Sequence, residues 1–291
     1  MTLVIALQGA KSIWLVADRR LTYPNRQRND ACKILTVEGN NGVALLGYAG
    51  LGASARNTEP SSWMNDLLVG LPVMPIEGYL NVIAQAMQAE LPQHLSKMPT
   101  TQAHHLIAPA LIDGEPRLYG IFLELGQGGK MPRFVYTRFA RTENGGPPPR
   151  LALAGSGLNH IPPPKQWYRE LFRLVVAFER GRVSPRAVAD RLACINEQAA
   201  IKDRSVSPEC IVTWRLNGGG FQFYSGSKRI NADKPIPAVA NGMDIQDLVN
   251  ISMAFALKDF AAMRKGEATQ NHGSEIQSEL DKLSSKVKRK L

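Results

Sequence analysis

The 291-residue chain holds little that would staple, metallate or anchor it. Its three cysteines, Cys32, Cys194 and Cys210, are odd in number and far apart, each inside an apolar segment. That usage excludes a disulfide framework or a cysteine zinc site and reads as reduced, structural thiols. The five histidines show no ligand spacing, and the adjacent His104 and His105 fall in an expected strand, so no metal is expected. No apolar run is long enough to cross a bilayer, and the first residues lack the charged region and apolar core of a signal peptide. The expectation is a cytoplasmic protein without membrane contact. No nucleotide-binding motif is visible, and no cofactor is called for. The basic residues show no interleaved aromatics of the kind a nucleic-acid module uses.

Charge and apolar pattern are what remain. The formal net charge is +10, part of it in the terminal run Ser284–Leu291 (SSKVKRKL). Such a run reads as a solvated tail, so nucleic acid is not the expected partner. The length suffices for one large domain or two small ones with a full core.

The informative stretch is the first fifty residues. Removal of Met1, normal before a residue as small as threonine, would leave Thr2 with a free amine and a hydroxyl. A threonine whose own amine serves as base is an activated nucleophile. Residues TLVIALQ read as a strand, Gly9-Ala10-Lys11 as a turn and Ser12–Asp18 (SIWLVAD) as a second strand, apolar on both faces. The hairpin returns Asp18 to the level of Thr2. CKILTVE, carrying Lys33, and GVALLGYA read as two more strands, followed by Gly50-Leu51-Gly52. A hydroxyl, an aspartate, a lysine and a glycine N–H gathered on one face are the parts of an amide-hydrolysing site. Each also has a plainer reading: Asp18-Arg19-Arg20 as a solvated turn, Lys33 as an edge-strand lysine, Gly50 as a strand-to-helix corner.

The order Thr2, ALQGAKSIWLVADRR, CKILTV, GYAGLG and, later, AGSG resembles the β-type proteasome subunits and the related bacterial peptidase HslV, which are N-terminal nucleophile (Ntn) hydrolases. The step from Thr2 to Asp18 and Arg20 matches without a gap. Lys33 sits one residue short, a change that the Pro24-containing loop can absorb. The resemblance covers residues 2–56 and, more loosely, 150–216. It implies that Thr2 supplies the nucleophile and the basic amine, that Lys33 lies beside the hydroxyl, and that Asp18 orients Lys33. It further implies that the Gly50 N–H faces the oxyanion, and that Ser156 and Asp203 hold the amine. Two departures touch the amine-holding half: Leu158 stands where a small or hydroxyl residue is usual, and Pro208 replaces a glycine after Ser207. Whether Ser205 or Ser207 assists Asp203 stays open.

The rest of the chain alternates helices and strands. Pro60 divides a helical stretch between Ser54 and Met98, and Leu80, Ile83, Met87 and Leu91 make one apolar face. HHLIAPALID and RLYGIFLEL form a hairpin through Asp113-Gly114, and PRFVYTRF extends the meander. A glycine-rich connection (Gly126–Lys130) and a stiff loop (Glu143–Pro149) lead to RLALAGSG. Helices then span Lys165–Arg180 and Ser184–Ile201, with Ser184 as cap, before ECIVTWRL and GFQFYSGS. The first four strands are expected in one sheet and the later strands in a second. The pattern alone supports α+β, and the resemblance adds a four-layer αββα sandwich, the Ntn hydrolase, proteasome-like architecture. Domain limits are 2–233 for that unit and 234–291 for a C-terminal helical extension, with Ile245, Leu248, Ile251, Phe255 and Leu257 as apolar positions.

Three functions follow. The first is a threonine peptidase that forms an acyl-ester on Thr2, acting on polypeptide or peptide in a self-compartmentalising homo-oligomeric ring, with an ATP-dependent unfoldase as a conceivable partner. The second is an Ntn-fold amidase on a small amide. The third is a non-catalytic structural subunit.

Overall fold

The computed structural model describes residues 2–22, 27–50, 59–95, 104–124, 133–138, 149–161, 164–217, 222–225, 236–264 and 272–288. Strands β1 (Val4–Gln8) and β2 (Ser12–Asp18) open the chain, followed by a short ribbon of β3 (Leu21–Thr22) and β4 (Gln27–Arg28). Then come β5 (Ile34–Gly39), β6 (Gly42–Ala49), α1 (Pro60–Leu68) and α2 (Ile76–Leu95). The meander β7 (His105–Ile112), β8 (Glu115–Glu124) and β9 (Arg133–Arg138) leads to β10 (Arg150–Ala154) and a 3-10 turn over Ser156–His160. Helices α3 (Pro164–Glu179) and α4 (Pro185–Lys202) precede β11 (Cys210–Leu216) and β12 (Gln222–Ser225). The described chain closes with β13 (Ala238–Ala240), β14 (Met243–Asp244), α5 (Ile245–Arg264) and α6 (Gly273–Lys288). This is a mixed α+β protein.

One sheet runs β10-β1-β2-β11-β12 and the other β14-β13-β5-β6-β7-β8-β9. Neighbouring strands are antiparallel except β13 and β5. The side-chain period of two distributes each strand between two cores. From β2, Trp14 and Val16 join a core with α3 and α4, while Ile13, Leu15 and Ala17 join the core between the sheets. From β6, Ala44, Leu46 and Tyr48 pack with α1 and α2, while Val43, Leu45 and Ala49 meet the other sheet. Strands apolar on both faces are stable only when covered on both.

This explains where the structure departs from the sequence reading. The first four long strands do not share a sheet: β1 and β2 lie in one, β5 and β6 in the other. Both hairpins carry apolar residues on both faces, so stacking face to face buries more than edge pairing would. Past residue 234 the chain is not helical throughout. Val239 pairs in parallel with Val37 and enters the α1–α2 core. On α5, Phe255 is buried but Leu257 is exposed. Ser184 occupies the N-cap of α4 without a side-chain capping bond. The boundary expected between 233 and 234, Met1, the Pro24 loop, Gly52, the Gly126–Lys130 connection and most of Glu143–Pro149 lie outside the described residues. Among the described residues no helix is long and apolar enough to cross a membrane.

Candidate active site

The β1–β2 hairpin brings Thr2 and Asp18 together. The Asp18 N–H donates to Leu3 O at 3.1 Å, and the Leu3 N–H donates to Asp18 Oδ1 at 2.9 Å. From the facing sheet comes Lys33, one residue ahead of β5. Tyr48 N–H donates to Lys33 O at 3.2 Å, continuing the register that pairs Ile34 with Gly47. The Lys33 ammonium then reaches between the sheets. Its Nζ donates to Asp18 Oδ1 at 2.8 Å and to Thr2 Oγ1. The Lys33 and Asp18 side chains are 1% and 0% exposed, and Thr2 is buried.

A buried ion pair is tolerated only where its remaining lone pairs find donors. Asp18 meets that condition. Beyond Lys33 and Leu3, its Oδ2 accepts from Arg20 N–H at 2.9 Å and Ser207 N–H at 3.1 Å. Lys33 is pulled below the ordinary lysine range by burial, with the Asp18 carboxylate opposing that pull. An ammonium so placed sets a positive charge directly against the Thr2 hydroxyl oxygen.

A second cluster lies against the Thr2 backbone. Gly157 N–H donates to Thr2 O at 3.4 Å. Gly155 has φ +99°, and a Cβ there would stand 1.9 Å from Thr2 O, so only glycine fits. Between them Ser156 Oγ donates to Asp203 Oδ2 at 3.1 Å and lies 3.2 Å from Ser205 Oγ. Ser205 donates to Asp203 Oδ1 from its N–H at 2.8 Å and its hydroxyl at 2.5 Å. Ser205, not Ser207, is the serine on Asp203; the Ser207 hydroxyl accepts from Glu209 N–H at 3.1 Å. Burial pushes the Asp203 carboxyl up, but the Ser205 and Ser156 bonds and nearby His160 outweigh it and hold the group below its ordinary value. Gly50 follows β6 with φ +132°, at the same end of the sheet as Lys33.

The structure thus brings Thr2, Asp18 and Lys33 into contact, sets Ser156 between two glycines that lie against Thr2 O with Asp203 bonded to Ser156, and leaves Gly50 just past the strand end. It also shows supports that the sequence reading passes over. Glu59, at the N-cap of α1, accepts from Cys32 N–H at 3.1 Å and from Arg28 Nη2 at 3.0 Å. Ser61 Oγ donates to Cys32 O at 2.8 Å. Both backbone groups of the residue before Lys33 are therefore held by one helix start, whose signal in the sequence is Glu59-Pro60-Ser61. Among the described residues no group of three or more His, Cys, Asp or Glu could hold a metal ion.

No protein-family model matches the chain, and no curated protein matches it. Among similar solved structures is Anbu (ancestral beta-subunit) from Yersinia bercovieri, 11% identical with a TM-score of 0.47, over 78% of this chain and 87% of that one. Another is an Anbu (Gly-1) mutant from Hyphomicrobium sp. strain MC1, 14% identical with a TM-score of 0.48, over 79% and 89%. The membership expected from the motifs, in the β-type proteasome and HslV-like family, is overturned: nothing in the family or curated comparisons supports it, and these similar structures are Anbu proteins. The motifs that suggested it are short. Identities this low and TM-scores below 0.5 leave the site itself as the ground for a functional reading.

Proposed function

We propose that the protein is a threonine-type N-terminal nucleophile hydrolase acting on peptide bonds through Thr2. The observation that supports this most is the Lys33 ammonium, buried and touching both the Thr2 hydroxyl and the Asp18 carboxylate. A wholly buried lysine is expensive unless its charge is used or paired, and here it is aimed at a hydroxyl on the residue after the initiator. The three cores, two of them between a helix pair and a sheet and one between the sheets, are read as those of a four-layer αββα sandwich of Ntn type.

With Met1 removed, the Thr2 amine takes the proton from Oγ1 while the neighbouring ammonium favours the alkoxide. Oγ1 attacks the amide carbon, and the oxyanion forms towards the Gly50 N–H. A donor of that type contributes on the order of 3 kcal/mol. The proton on the Thr2 ammonium passes to the departing amine, the C–N bond breaks, and an acyl-ester on Thr2 remains. Water, deprotonated by the same amine, hydrolyses the ester and restores Thr2. Ser156, Ser205 and Asp203 keep the amine in place. The substrate is polypeptide or peptide and the working form a homo-oligomeric ring, with residues 2–233 as the hydrolase unit and 234–291 as an extension.

Turnover of fluorogenic peptides and casein, measured beside a panel of small amides, tests the reading. Peptide hydrolysis that Thr2→Ala abolishes supports it. Turnover of small amides alone replaces the peptidase with an amidase. Hydrolysis undiminished in Thr2→Ala overturns the nucleophile assignment.

A further inference from the structure

Asn196 is a polar residue on the inward face of α4. It stands in the register of Val188, Leu192 and Ala199, all in the helix-side core, and is itself 0% exposed. A buried amide costs free energy unless its hydrogen bonds are made. Among the described residues Asn196 Oδ1 has no hydrogen-bond partner. Its Nδ2, by contrast, donates to Ser207 O at 2.8 Å and Pro208 O at 3.2 Å. A leucine would suit the core better, so those two bonds are what the amide contributes.

The segment they fix is the one that serves both halves of the site. Ser207 sends its N–H to Asp18 Oδ2 at 3.1 Å. Two residues upstream, Ser205 supplies both donors to Asp203 Oδ1, and Val206 N–H closes the turn on Asp203 O at 3.0 Å. From this geometry we infer that Asn196 is a positioning residue: through the 205–208 segment it sets the donor that orients Asp18 under Lys33 and the serine that holds Asp203. It touches no reacting atom, and it rests on the hydrolase reading only for its consequence in catalysis.

The test uses Asn196→Leu and Asn196→Asp in the full chain. In Asn196→Leu, kcat on a fluorogenic peptide falls by about tenfold to a hundredfold, the effect of a small misplacement of reacting groups. KM stays within about twofold, since no substrate-binding group is lost. A second readout is independent of activity. Losing the Ser207 N–H dipole beside the Asp18–Lys33 pair removes a partial positive charge, so the Lys33 pKa, followed by NMR of nitrogen-labelled lysine, rises. In Asn196→Asp the carboxylate cannot donate, but its protonated form can, so the kcat deficit shrinks as pH falls. That recovery keeps the idea testable if the leucine variant does not fold. Unchanged kcat together with an unmoved Lys33 titration overturns the inference, as does an Asn196→Asp deficit that is flat with pH. If wild type cleaves no amide at all yet Lys33 shifts in Asn196→Leu, the hydrolase reading fails and the positioning role stands.

Discussion

Replacing Lys33 by methionine removes one member of a pair whose side chains are 1% and 0% exposed. Breaking such a pair typically destabilises by about 3–5 kcal/mol, because the remaining charge stays buried. Here Asp18 keeps the N–H donors of Leu3, Arg20 and Ser207. That places the loss at the low end, about 3 kcal/mol, or a melting temperature lower by roughly 6–12 °C. Adding Asp18→Asn to Lys33→Met removes the stranded carboxylate. The double variant is therefore more stable than the sum of the singles predicts, by at least about 1 kcal/mol in a urea-unfolding cycle. The pH dependence has a definite sign. Lys33 is held below the ordinary lysine value in the fold, so between its lowered pKa and that of the unfolded chain, near 10.4, the unfolded state binds more protons. Wild-type stability thus gains from Lys33 as pH rises through that window, and Lys33→Met lacks the gain. A Lys33→Met loss under about 1 kcal/mol, or strict additivity in the cycle, would refute the account of the pair.

Gly155→Ala drives a Cβ against Thr2 O and strains a backbone at φ +99°; it destabilises by about 1–3 kcal/mol in thermal unfolding and abolishes peptide turnover by displacing Thr2. Asp203 has a lowered carboxyl pKa in the fold, so its contribution is present above the unfolded value, near 3.9, and is lost as pH falls through the folded one. Urea unfolding should show Asp203→Asn less stable than wild type at pH above about 5, with the gap closing in strong acid. Ser61→Ala removes a buried donor to Cys32 O; it costs about 1 kcal/mol and slows turnover through Lys33, both read from one preparation.

Strand spans were legible where the pattern was dense. Ser12–Asp18 is apolar on both faces and bounded by Gly9-Ala10-Lys11 and two arginines, and the strand occupies those same residues. Which core a residue enters was not legible, because Trp14 and Ile13 look alike as apolar positions of one strand although they face different cores. Val239 on β13 was missed for a related reason: three residues between Pro237 and Asn241 make too short a run to distinguish from loop. In the site, the hairpin argument brings Asp18 to Thr2, since a tight turn fixes the register. Lys33 arrives from the other sheet, and only tertiary packing decides that approach. Asn196 left a signal, a polar residue in register with Leu192 and Ala199, but nothing in its own helix names Ser207 as its partner, 11 residues away.

The most direct measurement is intact mass and peptide mapping of the protein before and after exposure to a peptide β-lactone, which acylates an activated hydroxyl. The account predicts a chain lacking Met1, a single acyl adduct on Thr2, and no adduct in Lys33→Met. A chain that retains Met1 yet hydrolyses peptides, or an adduct that maps to any residue other than Thr2, would contradict it.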